Sequence, residues 1–116
     1  MTEHSPLQLF FFKHINAIKR ERILCGECGE RLKGDFSEVA HILPKSKFKS
    51  IATNDDNVIY LCGWQSNNNC HGKLDNSSIE DVKQMKIYPQ LQHAFELLEN
   101  EIKEKISWKT YERFEG

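Results

Sequence analysis

His41 sits in a short apolar run, Glu38-Val39-Ala40-His41-Ile42. Sixteen residues on, Asn57 opens a second, Val58-Ile59-Tyr60-Leu61-Cys62. His71 follows, with Asp75 four residues after it. These types suit phosphodiester hydrolysis, which needs an activated water, a counter-charge for the pentavalent phosphorus and good alignment. A histidine with a pKa near 6.5 serves as a base. A divalent cation supplies Lewis acidity. An asparagine holds a loop or a ring in place without adding charge. On a helix, His71 and Asp75 face the same way and can reach one metal. Each has an ordinary use too: a packed histidine, a turn asparagine, a helix-end aspartate. Order, spacing and context together favour the chemistry.

Four cysteines accompany them. Cys25-Gly26-Glu27-Cys28 is a knuckle in which two thiolates can share one tetrahedral metal. Cys62 and Cys70 offer a second pair, with seven residues between them where two are usual, and His71 is a substitute for one sulfur. Such a site is closed and structural, and its binding energy is part of the folding energy. A redox use of the knuckle wants a strand before and a helix after it. Here Glu30 to Gly34 reads as a turn.

The elements that must position these groups are short. Pro6 to about Arg22 reads as a helix with Leu7, Phe10, Phe11, Ile15 and Ile18 on its packing side and Ser5 as its cap. Packing is the favoured use of this helix; the other reading is that its basic side, with Lys13, Lys19, Arg20 and Arg22, also touches DNA. Phe36–Ile42 and Asn57–Cys62 read as strands, and Cys70–Asp75 opens a short helix. Between the strands, Lys45, Lys47 and Lys49 alternate with other residues, so an extended loop sets them on one side as phosphate contacts. Gly63 to Asn69 is a loop whose Trp64 either stacks on bases or fills space around the metal. Ser77 with Glu80, or Ser78 with Asp81, caps a helix from Ile79 to about Ile87. A last helix runs from Pro89 to about Ile106, with Leu91, Phe95, Leu98, Ile102 and Ile106 in one stripe. The stripe reads as core, with a homodimer seam as its other use. Trp108 to Phe114 alternates by type and reads as a terminal strand.

A chain of 116 residues is one domain by ordinary size. It buries about two-thirds of its unfolded surface, so a metal staple helps it. With 28% charged and 39% hydrophobic residues it is neither disordered nor membrane-bound in composition. A net charge of −1 excludes coating nucleic acid by bulk charge, but not a local basic face. No run reaches the roughly 20 apolar residues of a membrane span. Leu7 to Phe12 lacks the marks of a signal peptide. The expected compartment is cytoplasmic, where four cysteines more often mean metal than disulfides.

Glu-x-x-His-Ile-x-Pro, then Asn-x-x-x-Leu-Cys, then Cys-His, resembles the HNH endonucleases over about Cys25 to Asp75. The resemblance implies the ββα-metal fold: an α+β arrangement of two antiparallel strands and a helix around one divalent ion. Here terminal helices over 6–22 and 79–106 flank a zinc-stapled core over 25–75, in a single domain over 1–116. It implies that His41 is the general base, that Asn57 fixes the loop and that His71 is a metal ligand. It makes Asp75, four beyond, the completion of the metal set. The cofactors implied are structural zinc and catalytic Mg²⁺, Mn²⁺ or Ni²⁺; the partner implied is DNA. Two departures stand out. The residue before the base is often a ligating Asp or His and here is Ala40, so the ion rests on His71 and Asp75 with Glu38 in support. The Cys62–Cys70 loop is also longer than usual. The rival class is a zinc-ribbon module that binds nucleic acid without cutting it, which leaves Asn57 and the His71/Asp75 pair without a use. A disulfide or redox protein is the other rival.

Overall fold

The computed structural model describes residues 4–102 and residue 114. Helix α1, Pro6–Glu21, begins with a reciprocal cap: Ser5 Oγ accepts from the Gln8 amide (3.1 Å), and Gln8 Oε1 accepts from the Ser5 amide (2.8 Å). It stops where Arg22 turns left-handed (φ 52°) and donates its amide to Ile18. Phe10, His14, Ile15 and Ile18 form its buried side.

Strand β1, Val39–His41, pairs antiparallel with β2, Val58–Tyr60; Val39 faces Tyr60, Ala40 faces Ile59 and His41 faces Val58. Both are shorter than the sequence suggests. Phe36–Glu38 is a 3-10 turn, because Asp35 Oδ1 accepts from the Ser37 amide (2.7 Å) and competes with the ladder. Asp55–Asn57 is likewise a 3-10 turn, capped by Asn54. Alternation sets Val39, His41, Val58 and Tyr60 on the α1 face of the hairpin, and Ala40 and Ile59 on the other. The stretch with the three lysines is a turn, not an extended loop: Pro44 O accepts from the amides of Lys47 (3.1 Å) and Phe48 (2.9 Å). Phe48 drops into the core, so alternation no longer sets the lysines side by side.

Helix α2, Cys70–Asn76, is capped by Asn69, whose side chain accepts from Gly72 (3.1 Å). Helix α3, Ile79–Lys83, is capped by Ser78, which accepts from the Asp81 amide (3.2 Å). It ends well before Ile87. Glu27 of the knuckle instead accepts from the amides of Lys86 and Ile87 (3.1 Å each), supplying partners at the start of α4, Tyr88–Ile102. The stripe Leu91, Phe95, Leu98 and Ile102 is buried in the chain's own core, which joins α1, the hairpin, α2 and α4. Ile106 and most of the expected terminal strand lie outside the described residues. Phe114 of that strand is helical rather than extended, and is stacked on Phe95 (5.2 Å between centroids). No described helix is long and apolar enough to cross a membrane.

Candidate active site and metal centre

The four cysteines converge. Cys25, Cys28, Cys62 and Cys70 hold their sulfurs within 4.8 Å of one another, and Cys28 Sγ lies 3.7 Å from Cys62 Sγ. A tetrahedron of zinc–sulfur bonds about 2.3 Å long has edges of about 3.8 Å, so the donors fit one tetrahedral metal such as zinc. The long Cys62–Cys70 spacing is absorbed by a folded loop. Ser66 donates its amide to Gly63 O (3.0 Å), its hydroxyl bonds Glu30 of the knuckle, and the Cys70 amide points at Cys62 Sγ (3.3 Å). Three sulfurs are buried and Cys28 is exposed. Burial pushes the Cys62 and Cys70 thiols up. For Cys28 burial is the largest single influence and pushes upward, but hydrogen bonds from the Glu30 backbone, Asn68 and the neighbouring sulfurs together outweigh it and bring the thiol down to about 7. A metal would displace the remaining protons.

This knot sets up a second site. His71 follows Cys70 directly and donates its amide to Cys62 O (3.0 Å). Its Nδ1 bonds Ser37 O (2.6 Å); a carbonyl only accepts, so Nδ1 carries the hydrogen and Nε2 faces Asp75 Oδ2 (3.2 Å). The hydrogen bond to Asp75 raises the His71 pKa against the effect of burial. The two side chains thus present one nitrogen and one oxygen together, as a divalent ion requires. His71 is not a stand-in for a zinc thiolate, since Cys70 takes that place.

His41 is built the same way. Its Nε2 bonds Ala52 O (2.7 Å), so Nε2 donates and Nδ1 keeps its lone pair. Phe10 stacks on the ring at 5.5 Å and Phe11 meets it edge-on at 5.7 Å. Burial lowers its pKa; the Ala52 carbonyl opposes this, and Lys45 adds to it.

Asn57 is fully buried and makes no contact with the cleft. Its Oδ1 accepts from the Leu43 amide (2.7 Å); its Nδ2 donates to Leu43 O (3.0 Å) and Ile51 O (3.4 Å). It ties both ends of the inter-strand loop together one residue short of Ala52.

His41, His71, Asp75, Lys45 and Trp64 line one cleft of about 910 Å³. Lys47 and Lys49 do not line it. Trp64 is 76% exposed, so it does not fill space around the cysteines. Ala40 lies across the sheet from the cleft and is fully buried. Glu38 gives no support to an ion: its buried carboxylate accepts the amides of Lys33, Gly34 and Asp35 at 2.6–3.0 Å and fixes the knuckle's exit. Lys13 of α1 is engaged by Asp55, which also receives His14 (3.0 Å). His14 in turn meets the Tyr60 hydroxyl at 2.5 Å, joining α1 to β2. Sequence reasoning missed the aromatic packing on His41 and this buried histidine. It also missed the carbonyls of Ser37 and Ala52, which orient the two rings; backbone acceptors leave no mark in residue type.

A two-stranded antiparallel hairpin and a following helix, with a histidine from each facing one cleft beside a cysteine knot, define a ββα-metal arrangement. Residues 25–77, a little under half of the chain, match the model of the HNH endonuclease family, a likeness that suggests nuclease chemistry on nucleic acid. No curated protein and no solved structure matches the chain significantly.

Proposed function

We propose that the chain is a metal-dependent DNA endonuclease that hydrolyses phosphodiester bonds. The observation that carries this reading is the matched pinning of two rings at one cleft. His41 and His71 each spend one N–H on a backbone carbonyl, which leaves His41 Nδ1 with its lone pair and sets His71 Nε2 beside Asp75.

In this reading His41 Nδ1 takes the proton of the attacking water while Nε2–H stays on Ala52 O, so the ring neither rotates nor changes its other partner. Asn57 keeps Ala52 in place by fixing the loop. Lys45 gives the phosphate a charged neighbour. His71 and Asp75 hold a divalent ion, Mg²⁺ or a transition metal such as Mn²⁺ or Ni²⁺. That ion, when bound, supplies Lewis acidity and counter-charge at the phosphate. The four cysteines hold zinc, which builds the frame and leaves no open position for chemistry. A non-catalytic zinc ribbon would need only the cysteines.

The test is plasmid nicking by zinc-loaded protein, with and without added Mg²⁺ or Mn²⁺. His41→Ala is expected to lose cleavage by on the order of 10²-fold or more while metal and DNA binding stay near normal. His71→Ala is expected to lose the ion, so that more metal partly restores cutting. The reading fails if His41→Ala cuts near the wild-type rate while a His41→Ala/His71→Ala double variant, purified identically, is inert.

A further inference from the structure

The exposed aromatic rings are unevenly distributed. Six large hydrophobic residues stand exposed among the described residues: Leu9, Leu24 and Leu97 are aliphatic, and Phe12, Phe36 and Trp64 are aromatic. The three aromatic ones gather at the catalytic cleft. Phe36 (54% exposed) and Trp64 (76%) line it, and Phe12 leans on Phe36 at 5.8 Å. Phe36 also meets Phe11 at 5.7 Å, and Phe11 meets the His41 ring at the same distance. Ring faces therefore continue outward from the base to the cleft's edge. Phe36 precedes Ser37, whose carbonyl orients His71. Gly63, which precedes Trp64, is pressed against the same residue: a Cβ on Gly63 would stand 1.9 Å from Ser37 Oγ. The two exposed rings are thus carried next to backbone that is fixed against the proposed ion ligands.

Charge at the cleft is sparse. Apart from histidines, its charged lining residues are Lys45 and Asp75, which cancel. A duplex-gripping surface is built from rows of cations on two phosphate backbones. Aromatic faces beside a single cation are instead suited to a strand whose bases have lost their stacking partners. In an intact duplex those faces are occupied by neighbouring bases.

We propose that Phe36 and Trp64 form a stacking subsite for an unpaired nucleobase beside the scissile phosphate. The preferred substrate is then single-stranded DNA, or the single-stranded arm of a branched one, rather than intact duplex. This rests on the nuclease reading above and names its substrate class.

Fluorescein-labelled oligonucleotides of one sequence, offered as single strand, flap and blunt duplex, test it by anisotropy with no divalent ion added, followed by cleavage after adding Mn²⁺. Single strand and flap are expected to bind about tenfold or more tighter than duplex and to be cut first. Trp64→Ala should lose about tenfold for the single strand and little for duplex, the weight of one base–ring stack, and Trp64→Phe should restore most of it. Trp64 is exposed, so unchanged zinc content and circular dichroism certify the variants as folded. Equal affinity for duplex and single strand overturns the subsite, as does a Trp64→Ala that binds like wild type. Duplex cutting without single-strand preference leaves the nuclease standing and the subsite refuted. Single-strand preference with no cleavage in any metal does the reverse, and no binding to any of the three refutes both.

Discussion

His41 and His71 are displaced in opposite directions by their surroundings, and this gives the proposed mechanism a pH signature. Burial among Phe10 and Phe11 holds His41 below the ordinary imidazole value, so it remains a base as the pH falls past about 6.5. Asp75 raises His71, so in the ion-free protein a proton persists on the nitrogen the ion would take. That proton competes with the ion as the pH falls through the raised value. With Mn²⁺ well below saturation the acid limb of cleavage should therefore lie above about 6.5, and saturating Mn²⁺ should move it below. Cleavage–pH profiles at two metal concentrations measure this, and a limb that stays put contradicts the assignment of roles. At this scale the sequence was legible where the proposed roles belong to side chains: His41, His71, Asp75 and Lys45 do share the cleft. It misled at Glu38, whose carboxylate finds nearer partners in three loop amides. No residue type could have announced the carbonyls of Ala52 and Ser37.

The elements were legible by kind and less so by extent. Helical stripes found α1 and α4, whose apolar faces are buried as their spacing requires. The strands came out at three residues each because Asp35 and Asn54 cap their own neighbours, a local choice that apolar alternation does not reveal. The lysine stretch turned because Phe48 had to reach the core. Of the described glycines, Gly63, at the mouth of the cysteine loop, has the least room for a side chain. A side chain there would meet Ser37 Cβ at 2.6 Å and Ser37 O at 2.9 Å. Gly63→Ala should force the loop and the Phe36–Glu38 turn apart, at about 1–3 kcal/mol of stability. Because Ser37 O also bonds His71, ion affinity should fall along with the melting temperature. Gly26→Ala is the control, since its Cβ would meet the Ile87 side chain no closer than 3.3 Å. A Gly63→Ala protein that binds Mn²⁺ as wild type does would show that the carbonyl is not what orients His71.

Across the whole molecule, the cysteine knot does more than join its ends. Cys70 and His71 are consecutive, and the amide between them is tied to Cys62 O. Whatever holds Cys70 in place therefore also sets the start of α2, from which the cleft's two proposed ligands project. In thermodynamic terms this shared backbone would make the two proposed metal sites a linked pair, and linkage is reciprocal: the factor by which zinc tightens Mn²⁺ in the cleft would equal the factor by which Mn²⁺ tightens zinc among the thiolates. The exposed Cys28 is the natural point of attack for a competing ligand. Zinc transfer to a chromogenic chelator should thus be less favourable when Mn²⁺ occupies the cleft, and His71→Ala should erase that protection while leaving the zinc content of the resting protein unchanged. Zinc retention indifferent to Mn²⁺ would show the two sites to be independent. With coupling, each loss of zinc from the knot would be matched by a loss of ion affinity in the cleft by that same factor, so zinc supply would tune the proposed activity as well as the fold.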